Sequence, residues 1–259
     1  MILKHLLGRQ WWLVTLLVIA AMGVMIRLGF WQLERLAERR DFNARVNAQI
    51  AQPTLTLDAD SLAADLAAME YRSVVVIGKY DHSQQVALRN QVHEGALGVH
   101  LLTPLIIAGS DRAVLINRGW APADSDWAQF DEAGAVEVRG VIRASESKPD
   151  FGGIPDPEGE LRLWNLANVE RISQQITLRL LPIYIQQLPD PARTDPPYRT
   201  QPQLDLTEGS HLGYAAQWFL FAAVLGIGYP FYVLDSQRAR ARQTANLPSA
   251  KRIENDHPI

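Results

Sequence analysis

The sequence predicts an α+β membrane protein: two transmembrane helices flanking a mainly antiparallel β outer domain, a curled sheet or a partly closed barrel. Three observations carry this. Two runs are far more apolar than the rest, at 11–31 and 211–234. The segment between them has ordinary soluble composition and is long enough to bury a core. Within it, stretches rich in β-branched residues alternate with Gly, Asn, Asp and Ser.

The first run, WWLVTLLVIAAMGVMIRLGFW from Trp11 to Trp31, is interrupted only by Thr15 and Arg27. At the helical rise it covers roughly 30 Å, a bilayer's hydrocarbon thickness. Trp11 and Trp12 mark one interface and Trp31 the other. A cleaved signal is the competing reading, but signal cores are shorter than this run. Arg27 lies near enough to the far interface to snorkel. The second run, Leu212 to Leu234, ends at Asp235 and then Arg238, Arg240 and Arg242. Pro230 near that end predicts a kink.

The arginine cluster, with Lys4 and Arg9 at the other end, places both termini on the cytoplasmic side by the positive-inside rule. The expected layout is a cytoplasmic N-terminus at 1–10, an extracytoplasmic domain at 32–210 and a basic cytoplasmic tail at 235–259. Arg35, Arg39, Arg40 and Arg45 run against this order, but they are mixed with Glu34, Glu38 and Asp41, and long domains translocate largely regardless of charge. No Arg- and Ser-rich leader precedes Trp11, which favours a bacterial inner membrane over a mitochondrial one.

In the outer domain, QLERLAERRDFNARVNAQI continues the first helix to near Ile50, where Gln52-Pro53 ends it. DSLAADLAAMEY predicts a short helix capped by Asp60 or Ser61. Strands are expected at RSVVVIGKY, SQQVALRNQ, GVHLLTPLII, RAVLINRGW, AVEVRGVIRA, LRLWNL and LRLLPIYIQQL. The last two flank a helix at NVERISQQIT, capped by Asn168. The proline-rich stretch from Pro189 to Gln203 reads as an extended connector.

Composition excludes several functions. A net charge of −3 and a pI near 6.1 offer no basic field for nucleic acid. With no cysteine there is no disulfide, thiolate metal site or cysteine nucleophile. His82, His93 and His100 lack zinc spacing and read as surface or turn histidines. No nucleophile elbow or phosphate loop is present, so nothing argues for an enzyme. NRGWAP, Asn117 to Pro122, is the domain's most distinctive motif: Gly119 permits an unusual backbone angle after Arg118, and Trp120 must either pack in a structural corner or be displayed as a contact site.

HLGYAAQWF opens the second span. On a helix His211, Tyr214, Ala215, Trp218 and Ala222 share one face, and Gly213, Ala216 and Gln217 lie on another, small enough for a second helix to approach and bond Gln217. Antiparallel spans bring LGFWQ and HLGYAAQW to the same depth. Arg27, Trp31 and Arg35 share a face at spacing four, so imidazole, aromatics and guanidinium groups are expected to converge there. Two readings stand: interfacial anchors, or a site for an iron porphyrin, which needs an axial nitrogen, an apolar slot and partners for its propionates.

LGFWQLER (Leu28 to Arg35), NRGWAP and HLGYAAQWF, in this order and with two spans, together resemble the Surfeit locus protein one family of cytochrome c oxidase assembly proteins; GVHLLTPL and VEVRGVIRASE also look like that family's strands. The resemblance implies a two-span, non-enzymatic assembly factor or chaperone for heme-copper oxidases, associated with heme a. It implies His211 as axial ligand to the heme iron, with Trp31, Gln32, Arg35, Tyr214, Gln217 and Trp218 as motif members. The implied partners are the oxidase catalytic subunit, heme A synthase and membrane lipid. One departure is visible: Arg39 and Arg40 in LAERR stand where many relatives have an aromatic-basic pair. An accessory oxidase subunit without cofactor is the alternative from another class; a membrane-tethered hydrolase or ligand sensor is a third.

Overall fold

The computed structural model describes residues 6, 8–148 and 153–245. Lys4, most of the basic tail and Gly152 lie outside them. The chain divides into two compact units, one of residues 1–42 with 207–259 and one of residues 43–206.

The first unit is built on two long helices, α1 (Trp12–Ile50) and α3 (His211–Ala245), of which α1 contributes its last turns to the second unit. Both are long and apolar enough to cross a membrane, and only 11% of each apolar stretch is buried. Leu17, Ile19 and Val24 on α1, and Val224, Ile227 and Phe231 on α3, all stand exposed. Exposing this surface to water costs free energy that contact with lipid tails would not.

The seam between the helices follows a heptad. On α1 the less exposed positions Thr15, Val18, Met22, Met25, Gly29, Gln32 and Leu36 alternate steps of three and four. On α3, His211, Ala215, Trp218, Ala222, Leu225 and Tyr229 do the same, and Val233 follows one turn further on. This is the spacing that keeps one stripe of each helix facing its neighbour. A Cβ added at Gly29 would lie 2.6 Å from the Phe219 ring, so the missing side chain is what admits that ring. Phe30 meets Phe219 edge-on at 5.4 Å and Trp11 meets Tyr232 at 5.9 Å. The helix passes through Pro230 without a break.

The second unit holds strands β1 (Leu55–Leu57), β2 (Ser73–Tyr80), β3 (Val86–His93), β4 (Ala96–Ile107), β5 (Arg112–Pro122), β6 (Ala135–Ala144), β7 (Leu163–Trp164) and β8 (Arg179–Gln187), with α2 (Val169–Gln175) before β8. Their order β2-β6-β8-β5-β4 closes on itself because β4 also pairs with β2, Gly78 opposite Ile107 and Tyr80 opposite Leu105. The result is a closed five-stranded barrel with β1 and β3–β7 as extensions. Five of its pairings are antiparallel; β1 with β2, β3 with β7 and β5 with β8 run parallel.

Alternation along the strands sorts most buried side chains into two cores, and Ala87, Val99, Leu101, Ala121 and Trp127 form a third, smaller cluster. Val76, Leu105, Ile107, Val114, Ile116, Val138, Ile142, Ile183 and Ile185 fill one. Leu88, Leu102, Leu115, Trp164 and Tyr184 turn to the other face, where Val169 and Ile172 of α2 cover them. Because β5 is covered on both faces it is buried almost end to end.

Several expectations are corrected. DSLAADLAAMEY forms two single 3₁₀ turns, Ser61–Ala63 and Ala67–Met69, rather than one helix. Asp60 makes no capping bond; Asp58 and Asp65 supply the carboxylates that accept from Ser61 N and Ala68 N. Only Leu163–Trp164 of LRLWNL is strand, and β1 was not foreseen. The α1 end at Ile50 and the Asn168 cap, whose Oδ1 accepts from Arg171 N at 3.1 Å, are as expected.

Candidate functional site at the helix-pair terminus

The first turn of α3 places His211 against α1. Nδ1 of His211 lies 2.8 Å from Oε1 of Gln32, a bond spanning 179 residues of sequence. An amide oxygen only accepts, so Nδ1 donates, and in the neutral imidazole the lone pair is then on Nε2. Gly209, at φ +67, lies two residues before it; a Cβ there would make ordinary van der Waals contact with the imidazole, 3.4 Å from Cδ2 and 3.6 Å from Nε2. LGFWQ and HLGYAAQW therefore do meet, as antiparallel helices require.

The remaining expected residues divide. Tyr214 is half exposed, and Trp218 sits partly buried with Phe221 edge-on at 6.2 Å. Arg27, Trp31 and Arg35 share an exposed face of α1, with the Arg35 guanidinium 5.9 Å from the Trp31 ring centre. Arg27 pairs with Glu34 at 3.5 Å and Arg35 with Glu38 at 2.7 Å. The imidazole thus meets an amide rather than guanidinium groups. The close helix contact also falls elsewhere than expected: Ala215 and Ala222 are buried, whereas Gly213, Ala216 and Gln217 face outward. The heptad explains this, because Gln217 falls off the seam that His211 and Ala215 define.

Arg39 and Arg40, the departure noted above, fasten the chain entering α3. Arg39 Nε donates to Thr207 O at 3.0 Å, and Arg40 grips Glu208 with two bonds of 2.9 and 2.8 Å. At the opposite end of the seam, Thr15 Oγ1 and Tyr229 Oη are 2.6 Å apart and Thr15 donates to Leu6 O. Sequence reasoning missed this couple, although Thr15 was visible as the one hydroxyl in its run.

NRGWAP forms a structural corner. Gly119 takes φ +108, and Asn117 Oδ1 accepts its N–H. Trp120 is buried, its Nε1 bonded to Gln91 O at 3.1 Å, and its backbone exchanges two hydrogen bonds with Tyr198 at 2.8 and 2.7 Å. Tyr198 stacks on His93, whose ring also lies 5.4 Å from Trp120. The displayed-tryptophan alternative is therefore not what the fold adopts. Arg118 is wholly buried: it lies 4.9 Å over the Tyr80 ring, donates to Phe130 O and Gln85 Oε1, and pairs with Glu132 at 3.0 Å. Tyr198 was hidden in a stretch whose prolines signalled only a connector.

Among the described residues no group of three or more His, Asp or Glu could hold a metal ion. His100 is half-buried; burial, aided by His93, pushes its imidazole down to about 4.

Comparison with known proteins then identifies relatives. The model of the SURF1 family matches residues 19–223. A SURF1-like protein of Monosiga brevicollis is 26% identical over 234 residues, covering 84% of this chain and 85% of its own. A SURF1-like protein of Rickettsia felis is 27% identical, covering 84% and 96%, and human Surfeit locus protein 1 is 24% identical, covering 82% and 73%.

Proposed function

Because this chain belongs to the SURF1 family, we propose that it is a non-enzymatic assembly factor for heme-copper oxidase, holding heme a and aiding its insertion into the catalytic subunit. In this reading α1 and α3 span a membrane, both termini are cytoplasmic and the barrel lies on the outer face. The membrane is a bacterial inner membrane, and heme A synthase is the source of the heme.

The observation that carries the proposal is the His211–Gln32 couple. An axial ligand to heme iron must offer a neutral imidazole nitrogen with a fixed ring. Gln32 holds Nδ1–H and so sets both the tautomer of the neutral ring and its orientation, leaving Nε2 as the nitrogen without that partner. The residues present fit the group. His211 would supply the axial nitrogen, while Tyr214 and Trp218 would offer apolar and aromatic surface beside it. The porphyrin iron, when bound, contributes the coordination position that the imidazole fills. Arg27 and Arg35 already carry carboxylate partners, so propionate recognition by them would require exchanging those pairs.

The test is to co-express the protein with a heme A supply, purify it in detergent and record optical spectra of wild type and His211→Ala. A heme band present only in wild type supports the ligand role. The same Soret band in both removes it. No heme in either, with the oxidase co-purifying in stoichiometric amount, replaces the proposal with a cofactor-free accessory subunit.

A further inference from the structure

The barrel domain carries a second candidate site, independent of the helix-pair reading. A cavity of about 490 Å³ opens where β2 and β8 end and β6 begins, under the segment 188–199. A single water needs only about 30 Å³. Its walls include Tyr80, Glu132, Gln187, Arg193 and Arg199.

Three buried polar atoms of these walls have no hydrogen-bond partner: the Tyr80 hydroxyl, Nε of Arg199 and Oε1 of Gln187. Tyr80 is 4% exposed, the Arg199 side chain 5% and Gln187 8%. Stranding such groups is costly, and native folds leave few of them. Their chemistry is specific. Tyr80 and Arg199 offer O–H and N–H donors, whereas Gln187 offers an acceptor.

The charges agree with this pattern. Glu132 is answered from beneath by Arg118 at 3.0 Å and from the segment by Arg193 at 2.7 Å; Arg199 reaches it only at 3.6 Å. Glu137 and Arg139 at the rim pair with each other at 2.8 Å. The lining itself balances, Arg139, Arg193 and Arg199 against Glu132, Glu137 and Asp190, and Arg118 beneath Glu132 adds one positive charge. Burial and the neighbouring Arg193 lower the Arg199 pKa and outweigh the opposing pull of Glu132.

We propose that this cavity binds a phosphate group, as the free ion or a phosphate monoester, with its charged oxygens on Arg199 and the Tyr80 hydroxyl and its P–OH donated to Gln187. A carboxylate satisfies the two donors but has no proton for Gln187. Hydrogen phosphate satisfies all three.

The experiment follows thermal unfolding of the full chain in detergent, at matched ionic strength, with inorganic phosphate, glycerol 3-phosphate or acetate. Tm is expected to rise by about 5 °C or more once phosphate exceeds its dissociation constant a hundredfold. Tyr80→Phe removes an unpartnered hydroxyl and no packing, so it folds and is expected to weaken phosphate binding about tenfold or more. Arg199→Gln is expected to abolish the shift. Tighter binding of glycerol 3-phosphate assigns the rest of the cavity to an organic substituent, and tighter binding of the ion assigns it to inorganic phosphate. No shift with either phosphate, an undiminished shift in Tyr80→Phe, or an equal shift with acetate overturns the proposal.

Discussion

Replacing Gly119 with alanine tests whether the NRGWAP corner is built on backbone proximity. A Cβ at this position would lie 2.4 Å from the Tyr198 carbonyl oxygen, 2.7 Å from its carbonyl carbon and 3.1 Å from Arg199 N. All three are main-chain atoms, so no side-chain rotation relieves the clash. The φ of +108 adds strain of about 1–3 kcal/mol for any L residue. Pushing Tyr198 away also loses the two Trp120–Tyr198 backbone bonds, each contributing about 1 kcal/mol. The expected total is about 4 kcal/mol, or a Tm lower by roughly 8–16 °C for a domain of this size. The assay is thermal unfolding of the detergent-solubilised protein followed by tryptophan fluorescence. Gly95→Ala is the matched control, because Gly95 has φ +82 and nothing within 4 Å of its would-be Cβ. It should cost only the conformational part. If Gly119→Ala proves no worse than Gly95→Ala, close approach to Tyr198 is not what the corner depends on.

Three further outcomes are expected. The folded-state pKa of His100 lies below its unfolded value, so its contribution to stability is complete above pH 6.5 and lost as pH falls from there through about 4, by up to ~3 kcal/mol; unfolding midpoints across that window should flatten in His100→Gln. Asn168→Ala should cost about 1 kcal/mol by removing the α2 cap, while Asp60→Ala, whose side chain caps nothing, should stay within about 0.5 kcal/mol of wild type in the same denaturant titration. If the proposed function holds, Gln32→Leu should leave the helix pair assembled, since interhelical bonds in membranes contribute about 0.6 kcal/mol on average, yet lower heme affinity about 10- to 100-fold by releasing the imidazole; wild-type affinity in a heme titration would remove Gln32 from the site.

What could be read from the sequence followed how local its cause was. The end of α1 was legible because Pro53 stops a helix within a turn, and the Asn168 cap because an Asx side chain bonds a backbone N–H three residues on. The long strands were legible from β-branched runs. β1 was not, because three residues carry no pattern and its partner is β2. In DSLAADLAAMEY, Ala and Leu favour helix, but Asp58 and Asp65 each close a single turn through their carboxylates. At the candidate sites, His211 was visible as an unexpected imidazole in an apolar run, whereas its partner's identity was not: Gln32, not an arginine, lies on the seam. Tyr198 and Glu132 were invisible because their roles exist only through partners that the fold brings back to them, Trp120 78 residues earlier for the one, and Arg118 14 residues earlier with Arg193 61 residues later for the other.

The position of the two polar couples in the helix pair bears on why an imidazole is tolerated there. Thr15 with Tyr229 and Gln32 with His211 are separated by 17 residues on α1 and 18 on α3, roughly 26 Å at the helical rise. Between them the described seam residues are apolar or glycine, from Val18 to Gly29 on α1 and from Ala215 to Leu225 on α3. In the bilayer reading this is close to the hydrocarbon thickness, so each couple falls at an interface, where a polar side chain costs least. A polar pair at one end of a heptad seam would leave the helices free to settle with the other end out of step. A pair at each end selects one register, since sliding by a heptad unmakes both bonds at once. In that reading the depth of His211 is set at both ends of the pair, the Thr15–Tyr229 couple acting on the imidazole through the shared register.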